Sequence, residues 1–401
     1  MVRRTLLIVL AGGQGSRLDV LTAGRAKPSL PVGGTYRLID LMMSNAANSG
    51  LSDVWVVQQY EPHLLTDHLA GGRPWDLDRS QGGLKVLPPY QGQATGGFAT
   101  GNADALNRQA RLIAAFDPEV VLVTSADHLI TIDLAEVVDA HVERKAELTV
   151  VTTQLTRGQD ARRHSLVDVD DRGRVTALRA KPDDPPHRCA ATEVFAYDPT
   201  VLLDTLARID RGEQELGDFG DALVPEILKG GKAYAFNHRG HWRDLGNPQS
   251  YLDAQLELLR PRPRLRLDDP AWPIRSASVP RAPARIEESA RLDGSWVSSG
   301  TTVRGSVVNS ILGPGVTVEA GAEVRHSVLM DDVRVGAGAK VARAVVAEGA
   351  WIGARSRVGA AQARHPVLVG AGRRLRTDSE VPAGTHLDPA RSDAQSFAGG
   401  G

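Results

Sequence analysis

The amino-acid sequence predicts an α/β domain followed by a parallel β-helix, with a proline-rich linker between them. Over the first 258 residues, short apolar runs alternate with helical patterns, an order typical of a doubly wound α/β sheet. After residue 285, Val and Ile recur at six-residue spacings among small residues, which indicates a β-helix. We therefore divide the chain into residues 1–258, a linker at 259–285, a β-helix at 286–376 and a mobile tail at 377–401.

Short apolar segments in the first part predict the strands of the sheet. The first three are almost entirely apolar, as expected for strands that are buried on both faces of a parallel sheet. The predicted strands are Leu6–Leu10, Val54–Gln58, Val120–Thr124, Leu148–Thr153, Val175–Leu178, Val194–Tyr197 and Ala233–Phe236. In such a sheet, ligands bind outside the carboxyl ends of the strands.

Three segments between these strands have the apolar spacing or end signals of helices. Arg37–Ser49 precedes Gly50, a suitable residue just after a helix. Asn102–Ala115 repeats apolar side chains at helical spacing, and Asp133–Lys145 begins with an acidic residue that suits a helix N-terminus.

Prolines separate the two regular parts of the chain. Six of them fall between Arg260 and Arg285, a density that excludes a continuous helix or a central strand. In the β-helix that follows, Val346, Ile352 and Val358 illustrate the six-residue period. An antiparallel β domain with glycine turns is the alternative for this region.

The overall composition excludes several classes of protein. The 401 residues carry a net charge of −1, with 42% hydrophobic and 24% charged residues, which indicates a folded protein without a generally basic surface for nucleic acid. The single cysteine, Cys189, excludes an intrachain disulfide and favours a reducing cytoplasm. No run reaches the roughly 18 apolar residues of a membrane helix. The N-terminal run could belong to a signal peptide, but the glycines directly after it favour a buried strand.

A glycine-rich loop directly follows the first predicted strand and suits phosphate binding. Gly12, Gly13 and Gly15 let backbone N–H groups approach phosphate oxygens, and Arg17 adds a fork of donors. The spacing is neither that of a Walker A loop nor that of a dinucleotide-binding fingerprint. A tight turn with a surface arginine is the alternative.

Cations and carboxylates that suit a metal–phosphate site occur elsewhere in the first 258 residues. Arg25 and Lys27 add two cations shortly after the glycine loop. Asp127 ends a central strand, where Mg²⁺ bound to a nucleotide would be held, and Asp244 is a second candidate ligand. Lys181 is a candidate clamp for an anionic substrate, with a plain surface lysine as the alternative.

Many short segments, taken in order, resemble those of the ADP-glucose pyrophosphorylase (glucose-1-phosphate adenylyltransferase) family. The resemblance covers about residues 5–372. The matching segments are Leu10–Leu18, Arg25–Pro28, Gly33–Asp40, Ser44–Asn45, Asn48–Gly50, Gln59–Tyr60, Gly101–Ala105, Ala126–His128, Lys181–Pro182, Asp218–Gly220, Trp242–Gly246 and Trp272–Ile274.

The resemblance implies a Rossmann-like nucleotidyltransferase domain followed by a left-handed β-helix, assembled as a homo-oligomer (tetramer or dimer) with effector sites. It also implies roles for single residues. Gly12, Gly13, Gly15 and Arg17 would hold the nucleoside triphosphate, Lys27 would lie near the pyrophosphate or an effector, and Gln91 and Gly101 would contact the base. Asp127 and Asp244 would hold Mg²⁺, and Lys181 would bind the sugar phosphate.

Four segments depart from the family pattern. Asn102 replaces a hydroxyl residue, Phe98 and Ala99 replace a Trp-Tyr pair, and Ala180 replaces a glutamate. At the sugar pocket the usual Ala-Ser-Met-Gly is Ala190–Glu193, so that Ala191 removes a hydroxyl and Glu193 adds a carboxylate. Such changes alter selectivity for sugar hydroxyls. Relatives with similar changes resemble valienol-1-phosphate guanylyltransferases of aminocyclitol pathways.

The sequence therefore predicts Mg²⁺-dependent nucleotidyl transfer from a nucleoside triphosphate to a hexose-like 1-phosphate. Arg17, Lys27 and Asp127 are the predicted catalytic residues, and Lys181, Ala191 and Glu193 the predicted substrate-binding residues. Three alternatives are a cyclitol phosphate guanylyltransferase, a non-catalytic regulatory subunit and an acyltransferase built on the β-helix. The expected partners are small molecules and further copies of this chain, with neither nucleic-acid polymer nor membrane.

Overall fold

The computed structural model describes residues 3–13, 15–89, 99–212 and 216–390. The chain forms two compact units. The first contains residues 1–13 and 41–242, and the second contains residues 14–40 and 243–401. The second unit therefore includes most of the loop that follows the first strand. Among the described residues, no helix is both long enough and apolar enough to cross a membrane.

Thirteen strands precede the linker within the described residues. In chain order they are β1 (Thr5–Ala11), β2 (Pro31–Val32), β3 (Tyr36–Arg37), β4 (Asp53–Gln58), β5 (Gly83–Leu87), β6 (Val120–Ser125), β7 (His128–Ile130), β8 (Leu148–Gln154), β9 (Leu166–Val169), β10 (Val175–Arg179), β11 (Cys189–Tyr197), β12 (Ala233–Asn237) and β13 (Trp242–Asp244).

Helices alternate with these strands. They are α1 (Leu38–Asn48), α2 (Pro62–Leu69), α3 (Asn102–Asn107), α4 (Ala110–Phe116), α5 (Leu134–Glu143), α6 (Pro199–Asp210), α7 (Leu223–Leu228) and α8 (Pro248–Leu258). Short 3₁₀ segments occur at Ser16–Leu21, Lys27–Ser29, Ala70–Trp75 and Ala161–Arg163.

A nine-stranded mixed sheet forms the centre of the first unit. Its main path runs β10-β9-β11-β6-β1-β4-β5, and β8 pairs with both β11 and β12. Strand β1 pairs in parallel with β4 and with β6, and all of its residues are buried. The three apolar strands expected at the centre of a parallel sheet are thus confirmed. Strand β11 runs antiparallel to β6, which makes the sheet mixed.

The segment predicted as one helix over Asn102–Ala115 forms two helices, α3 and α4. The prediction of a continuous helix is wrong because the chain turns at Arg108 and Gln109 between them. The side chain of Arg108 folds back onto the carboxylate of Asp104, and Gln109 is buried with its N–H bonded to the carbonyl of Leu106. By contrast, Asp133 caps α5 as expected, accepting a hydrogen bond from the N–H of Ala135.

Short strands after the linker form the β-helix of the second unit. They are β14 (Arg285–Ile286), β15 (Arg291–Asp293), β16 (Trp296–Val297), β17 (Thr302–Val303), β18 (Ser306–Val308), β19 (Ile311–Leu312), β20 (Thr317–Val318), β21 (Glu323–Arg325), β22 (Val328–Leu329), β23 (Arg334–Val335), β24 (Lys340–Ala342), β25 (Ala344–Val346), β26 (Trp351–Ile352), β27 (Arg357–Val358), β28 (Val367–Val369), β29 (Glu380–Val381) and β30 (His386–Leu387).

These strands stack into three sheets, and within the described residues their strand pairs are all parallel. Val318, Val335 and Ile352 lie in register on successive coils and point into a core of aliphatic side chains. The parallel pairing excludes the antiparallel alternative for this region. Strands β29 and β30 extend the stack into residues that the composition assigns to the tail.

The segment 14–40 packs against other parts of the second unit. Its first 3₁₀ segment, Ser16–Leu21, lies against β28, β30 and α8. The hydroxyl of Tyr251 donates to the carbonyl of Pro31, and the side chain of Gln255 accepts a hydrogen bond from the N–H of Gly33 at 2.9 Å. The loop that carries the predicted phosphate-binding cations is therefore supported by α8 and by the β-helix.

Candidate active site

Two of the three glycines after β1, Gly12 and Gly15, have little room for a side chain. A Cβ on Gly12 would lie 3.1 Å from the side chain of Gln59 in the first unit. In the second unit, Gly15 has a φ of 65°, and a Cβ there would lie 3.0 Å from the Cβ of Lys27. A side chain at Gly15 would displace Lys27, while Gly13 has open space around it. This arrangement is compatible with the close backbone approach that a phosphate needs.

Two predicted site residues of the second unit form an ion pair. The ammonium Nζ of Lys27 lies 3.4 Å from Oδ1 of Asp244, and the two side chains are only 6% and 18% exposed. Lys27 is held in a 3₁₀ segment beside Pro28, and Asp244 ends β13. Residues 217 positions apart in the chain are thus brought into contact. Arg17 is exposed on the preceding 3₁₀ segment.

Arg25, which also belongs to the cationic segment, is almost completely buried. Its guanidinium donates to the carboxylate of Glu348 on the β-helix. Only 6% of the Arg25 side chain is exposed, against 38% for Glu348. No local sequence pattern connects these two residues, because 323 positions separate them.

Asp127 lies directly after β6 in the first unit, beside two further candidate ligands. The hydroxyl of Ser125 donates to its carboxylate, and Nδ1 of His128 lies 3.4 Å from its Oδ1. One ligand atom from each of Asp127, His128 and Glu193 falls within 4.8 Å of the others. Two carboxylates this close repel each other unless a cation or a proton lies between them. The group could therefore hold a divalent ion.

An irregularity in β11 carries Glu193 in this group. The pairing of β11 with β8 shifts register between Ala191 and Phe195, and Glu193 within the shift has a φ of 60°. That left-handed conformation costs a residue with a side chain roughly 1–2 kcal/mol. Ala191, in contrast, is buried in the core of the first unit. The expected contact between Ala191 and the sugar stays a prediction.

Aromatic packing surrounds His128 and contributes residues for which sequence analysis assigned no role. The indole of Trp242 packs against the rings of His128 and His164, at centroid distances of 5.3 and 5.2 Å. Its Nε1 donates to the carbonyl of Thr192, the residue before Glu193. Trp242 therefore connects the strand that carries Glu193 with the histidine beside Asp127. The family resemblance of the segment Trp242–Gly246 does not reveal this packing.

Gly101 is required by its contact with a second loop. A Cβ there would overlap the carbonyl of Gly217, which accepts a hydrogen bond from the N–H of Ala103 at 3.0 Å. The carboxylate of Asp218 accepts one from the N–H of Asn102. The other predicted base contact, Gln91, lies outside the described residues.

A small cleft in the first unit is lined in part by α3, the helix that follows Gly101. The side chain of Gln59 reaches across it and donates to the carbonyl of Ala99 at 2.7 Å. The residues that line the cleft are Val57, Gln58, Gln59, Pro88, Pro89, Ala99, Ala105, Arg108 and Gln109. Gln59 is thus a further candidate for contact with a ligand. In the sequence it stands out only as part of a segment that resembles the family.

Lys181 is exposed on the loop between β10 and β11, with a φ of 43°. The carboxylate of Asp168 on β9 accepts hydrogen bonds from Arg179 and from His187, which flank this loop. The Arg179 guanidinium, together with His187, lowers the pKa of Asp168 below its usual value despite partial burial. Asp168 therefore stays ionised at neutral pH.

The predicted site residues fall into two groups, one in each unit. Asp127 and Glu193 are close together in the first unit, and Lys27 and Asp244 are in contact in the second. The joint binding of one metal by Asp127 and Asp244 stays a prediction. Carboxylate oxygens suit a hard divalent cation, and lysine and arginine suit phosphate.

Comparisons with known proteins agree with this reading of the two units. A nucleotidyl transferase family model matches residues 6–260, and a model described as GlmU-like, C-terminal hexapeptide, matches residues 282–366.

Three curated relatives all bear the name glucose-1-phosphate adenylyltransferase. The one from Thermosipho melanesiensis is 36% identical over 81% of this chain and 78% of its own length. The one from Thermotoga neapolitana is 38% identical over 79% and 75%, respectively. The one from Clostridium acetobutylicum is 36% identical over 79% and 83%.

Proposed function

Because this chain belongs to the nucleotidyl transferase family, within its glucose-1-phosphate adenylyltransferase group, we propose that it transfers a nucleotidyl group from a nucleoside triphosphate to a hexose-like 1-phosphate. The products are a nucleoside diphosphate sugar and pyrophosphate. The similarity to adenylyltransferases extends over about four-fifths of the chain. It supports ATP and glucose 1-phosphate as the first pair of substrates to consider.

The observation that carries the proposal is the placement of the chemical groups. A carboxylate stands at the carboxyl end of the central strand β6, where α/β sheets bind their ligands. The loop after β1 requires glycine at position 15 and carries Arg17 and the buried cation Lys27. This combination of carboxylate, glycine loop and cations is what transfer between phosphates needs.

Mg²⁺ is the proposed cofactor, with Asp127 and Asp244 as its ligands. The carboxylate of Asp127 suits a hard cation, and the nearby carboxylate of Glu193, with an oxygen within 4.8 Å, adds negative charge that such a cation would offset. The imidazole of His128 is a softer donor, and we leave it outside the ligand set. When bound, the ion would withdraw charge from the phosphate oxygens of the nucleotide.

The reaction needs no general base, because the attacking oxygen belongs to a sugar phosphate that is already ionised at neutral pH. That oxygen forms a bond to the α-phosphorus as the bond from the α-phosphorus to the bridging oxygen of the β-phosphate breaks. The electron pair leaves with pyrophosphate. Arg17 and Lys27 neutralise charge on the triphosphate. Gly12, Gly13 and Gly15 let the triphosphate approach the backbone, and Lys181 binds the sugar phosphate.

One observation favours a second candidate, the transfer of a guanylyl group to a cyclitol phosphate such as valienol 1-phosphate. Glu193 places a carboxylate beside Asp127, where the related enzymes usually have glycine at the sugar pocket. A carboxylate there would accept hydrogen bonds from a hydroxyl pattern that differs from that of glucose.

The regulatory-subunit alternative is not favoured, since Arg17, Lys27, Asp127 and Asp244 are all present. The acyltransferase alternative has no supporting feature beyond the β-helix itself. We further propose a cytoplasmic location and a homo-oligomer (dimer or tetramer), the latter because the end coils of a β-helix leave strand edges that another chain can cover.

Pyrophosphate release with Mg²⁺ tests the proposal. ATP, GTP, UTP and dTTP are each combined with glucose 1-phosphate, glucosamine 1-phosphate, mannose 1-phosphate and valienol 1-phosphate. Activity that is greatest with ATP and glucose 1-phosphate supports the first candidate. Activity restricted to GTP and the cyclitol phosphate supports the second. No activity with any pair contradicts both and favours the regulatory subunit.

A further inference from the structure

The loop that carries Lys181 is fastened at both ends by one carboxylate. Asp168 lies on β9, a strand that contains none of the predicted site residues. We infer that Asp168 is a positioning residue, which sets the placement of Lys181 and thereby the affinity for the sugar 1-phosphate. This inference rests on the proposed function and adds a residue to it.

The first attachment is to Arg179, at the end of β10. Oδ2 of Asp168 accepts hydrogen bonds from Nε and Nη2 of Arg179, at 2.9 and 2.6 Å. Nε also lies 3.1 Å from Oδ1, so both carboxylate oxygens contact the guanidinium, which fixes direction as well as distance. Arg179 is two residues before Lys181, so this contact fixes the start of the loop.

The second attachment is to His187, six residues after Lys181. Its Nε2 lies 2.7 Å from Oδ1 of Asp168, and its Nδ1 accepts a hydrogen bond from the N–H of Cys189 at 3.3 Å. In the neutral ring the proton therefore lies on Nε2, which donates to Asp168. The same carboxylate thus receives a donor from each end of the loop.

The chain between these attachments has little conformational freedom. It contains Pro182, Pro185 and Pro186, each of which fixes its own φ. At its far end, Arg188 donates to the carbonyls of Leu155, Thr156 and Gln159. With both ends fixed, the loop holds Lys181 in the left-handed conformation that a lysine rarely adopts.

Contacts of the loop connect it to the predicted base-binding segment. Ala180 lies against Gly220. In the same segment as Gly220, Asp218 accepts a hydrogen bond from the N–H of Asn102, the residue after Gly101. The Glu-Lys-Pro of the related enzymes is Ala180–Pro182 here, so the carboxylate directly before the lysine is missing. Instead, the carboxylate of Asp168 accepts hydrogen bonds from Arg179, the residue before Ala180.

The test compares Asp168→Asn with Asp378→Asn in steady-state kinetics. Asp378 is a matched control, because it also accepts two hydrogen bonds from one arginine, Arg355, at 2.8 and 2.7 Å. We expect Asp168→Asn to raise the KM for the sugar 1-phosphate about fivefold to tenfold, with kcat and the KM for the nucleotide unchanged. The control should change none of the three constants. An equal effect of both variants, or an effect on kcat alone, overturns the inference.

A double-mutant cycle separates positioning from a general structural role. In a Lys181→Ala background, Asp168→Asn should raise the KM for the sugar phosphate no further, because the side chain that it positions is gone. Additive effects overturn the inference. If Asp168→Asn lowers the midpoint of thermal unfolding, His187→Gln is used in its place, because it removes the other donor to Asp168.

The failure of this inference is distinguishable from the failure of the proposed function. If the unaltered protein releases pyrophosphate with some substrate pair and Asp168→Asn matches it in every constant, only the inference fails. If the unaltered protein is inactive with every pair, the proposed function fails. The same variants are then compared by calorimetric binding of glucose 1-phosphate, where equal dissociation constants overturn the inference as well.

Discussion

The carboxylates of Asp127 and Glu193 lie within reach of one cation, and both residues are half-buried beside the buried His128. Ser125 and His128 contact Asp127, which limits the orientations that its carboxylate can take. At the scale of single residues, we therefore propose that the chemistry of the first unit depends on the carboxylate at position 127.

Replacing Asp127 with asparagine keeps the volume of the side chain and removes that charge. We expect kcat for pyrophosphate release to fall about 100-fold or more, since one predicted metal ligand is lost. The midpoint of thermal unfolding should stay nearly unchanged. Asp133→Asn is the control, because asparagine caps a helix as well as aspartate does and α5 should keep its cap. Full activity of Asp127→Asn would exclude the proposed metal ligand.

Replacing Glu193 with glycine should relieve backbone strain and change the selectivity between the sugar phosphate and the cyclitol phosphate. At a φ of 60°, glycine is less strained than glutamate, so Glu193→Gly should leave the free energy of unfolding unchanged or raise it by up to about 1 kcal/mol. If the carboxylate selects the substrate, the ratio of kcat/KM between valienol 1-phosphate and glucose 1-phosphate should move toward glucose by about tenfold or more.

Asp117 provides the control for this substitution. It has a φ of 55°, caps the end of α4 and is exposed. Asp117→Gly should therefore relieve similar strain without altering selectivity. The same substrate ratio in Glu193→Gly and in the unaltered protein would show that the carboxylate does not select the substrate.

At the scale of secondary-structure elements, α5 and β8 enclose a buried histidine. Nδ1 of His141 lies 2.9 Å from the hydroxyl of Thr149, and the residue is only 3% exposed. Burial lowers the pKa of His141 from 6.5 to about 4, and the charge of Asp198 opposes this only in part. The imidazole is therefore neutral in the folded protein at pH values where it is protonated in the unfolded chain.

This difference makes stability depend on pH in a defined direction. The unfolded chain binds the proton more tightly, so the contribution of His141 is complete above about pH 6.5 and is lost as the pH falls toward 4. The loss should amount to about 3 kcal/mol in the free energy of unfolding by urea. His141→Gln should flatten this part of the pH profile, whereas His63→Gln, at an exposed site, should leave it unchanged. An unchanged profile in His141→Gln would contradict the assignment.

At the scale of the whole molecule, the β-helix supports the loop that the nucleotide is proposed to contact. Residues 14–40 belong to the same compact unit as the β-helix, although the sequence places them in the first domain. Arg25 bonds to Glu348, and Arg37 bonds to Asp331 at 2.9 Å. We therefore expect residues of the β-helix to affect nucleotide binding without contacting the nucleotide.

Replacing Glu348 with glutamine tests this support. It leaves the guanidinium of Arg25 almost buried and without its countercharge, which should cost about 1.5–3 kcal/mol in the free energy of unfolding. The KM for the nucleoside triphosphate should rise several-fold, while the KM for the sugar phosphate stays unchanged. Asp378→Asn removes an exposed partner of Arg355 on the same β-helix and is the control. Equal kinetic constants in Glu348→Gln and this control would contradict the claim that Glu348 supports the loop that the nucleotide is proposed to contact.

Local patterns in the sequence were sufficient to predict the elements that depend on local physics. The apolar runs predicted β1, β4 and β6, because strands buried on both faces need apolar side chains throughout. The six-residue period predicted the β-helix, because each coil repeats the same inward positions. The glycines after β1 and the aspartate after β6 were recognised from composition and position alone.

Contacts between residues far apart in the chain could be decided only by the tertiary structure. Lys27 meets Asp244, Arg25 meets Glu348, and Glu193 joins Asp127 and His128, each across 65 or more positions. No periodicity encodes such pairs, since they depend on strand order, on the irregularity in β11 and on the packing of residues 14–40 against the β-helix. The chemical groups of the protein and the kind of elements that carry them therefore follow from local patterns along the chain. Which of these groups meet depends on the fold, because only folding brings distant segments within the few ångströms over which hydrogen bonds and ion pairs form.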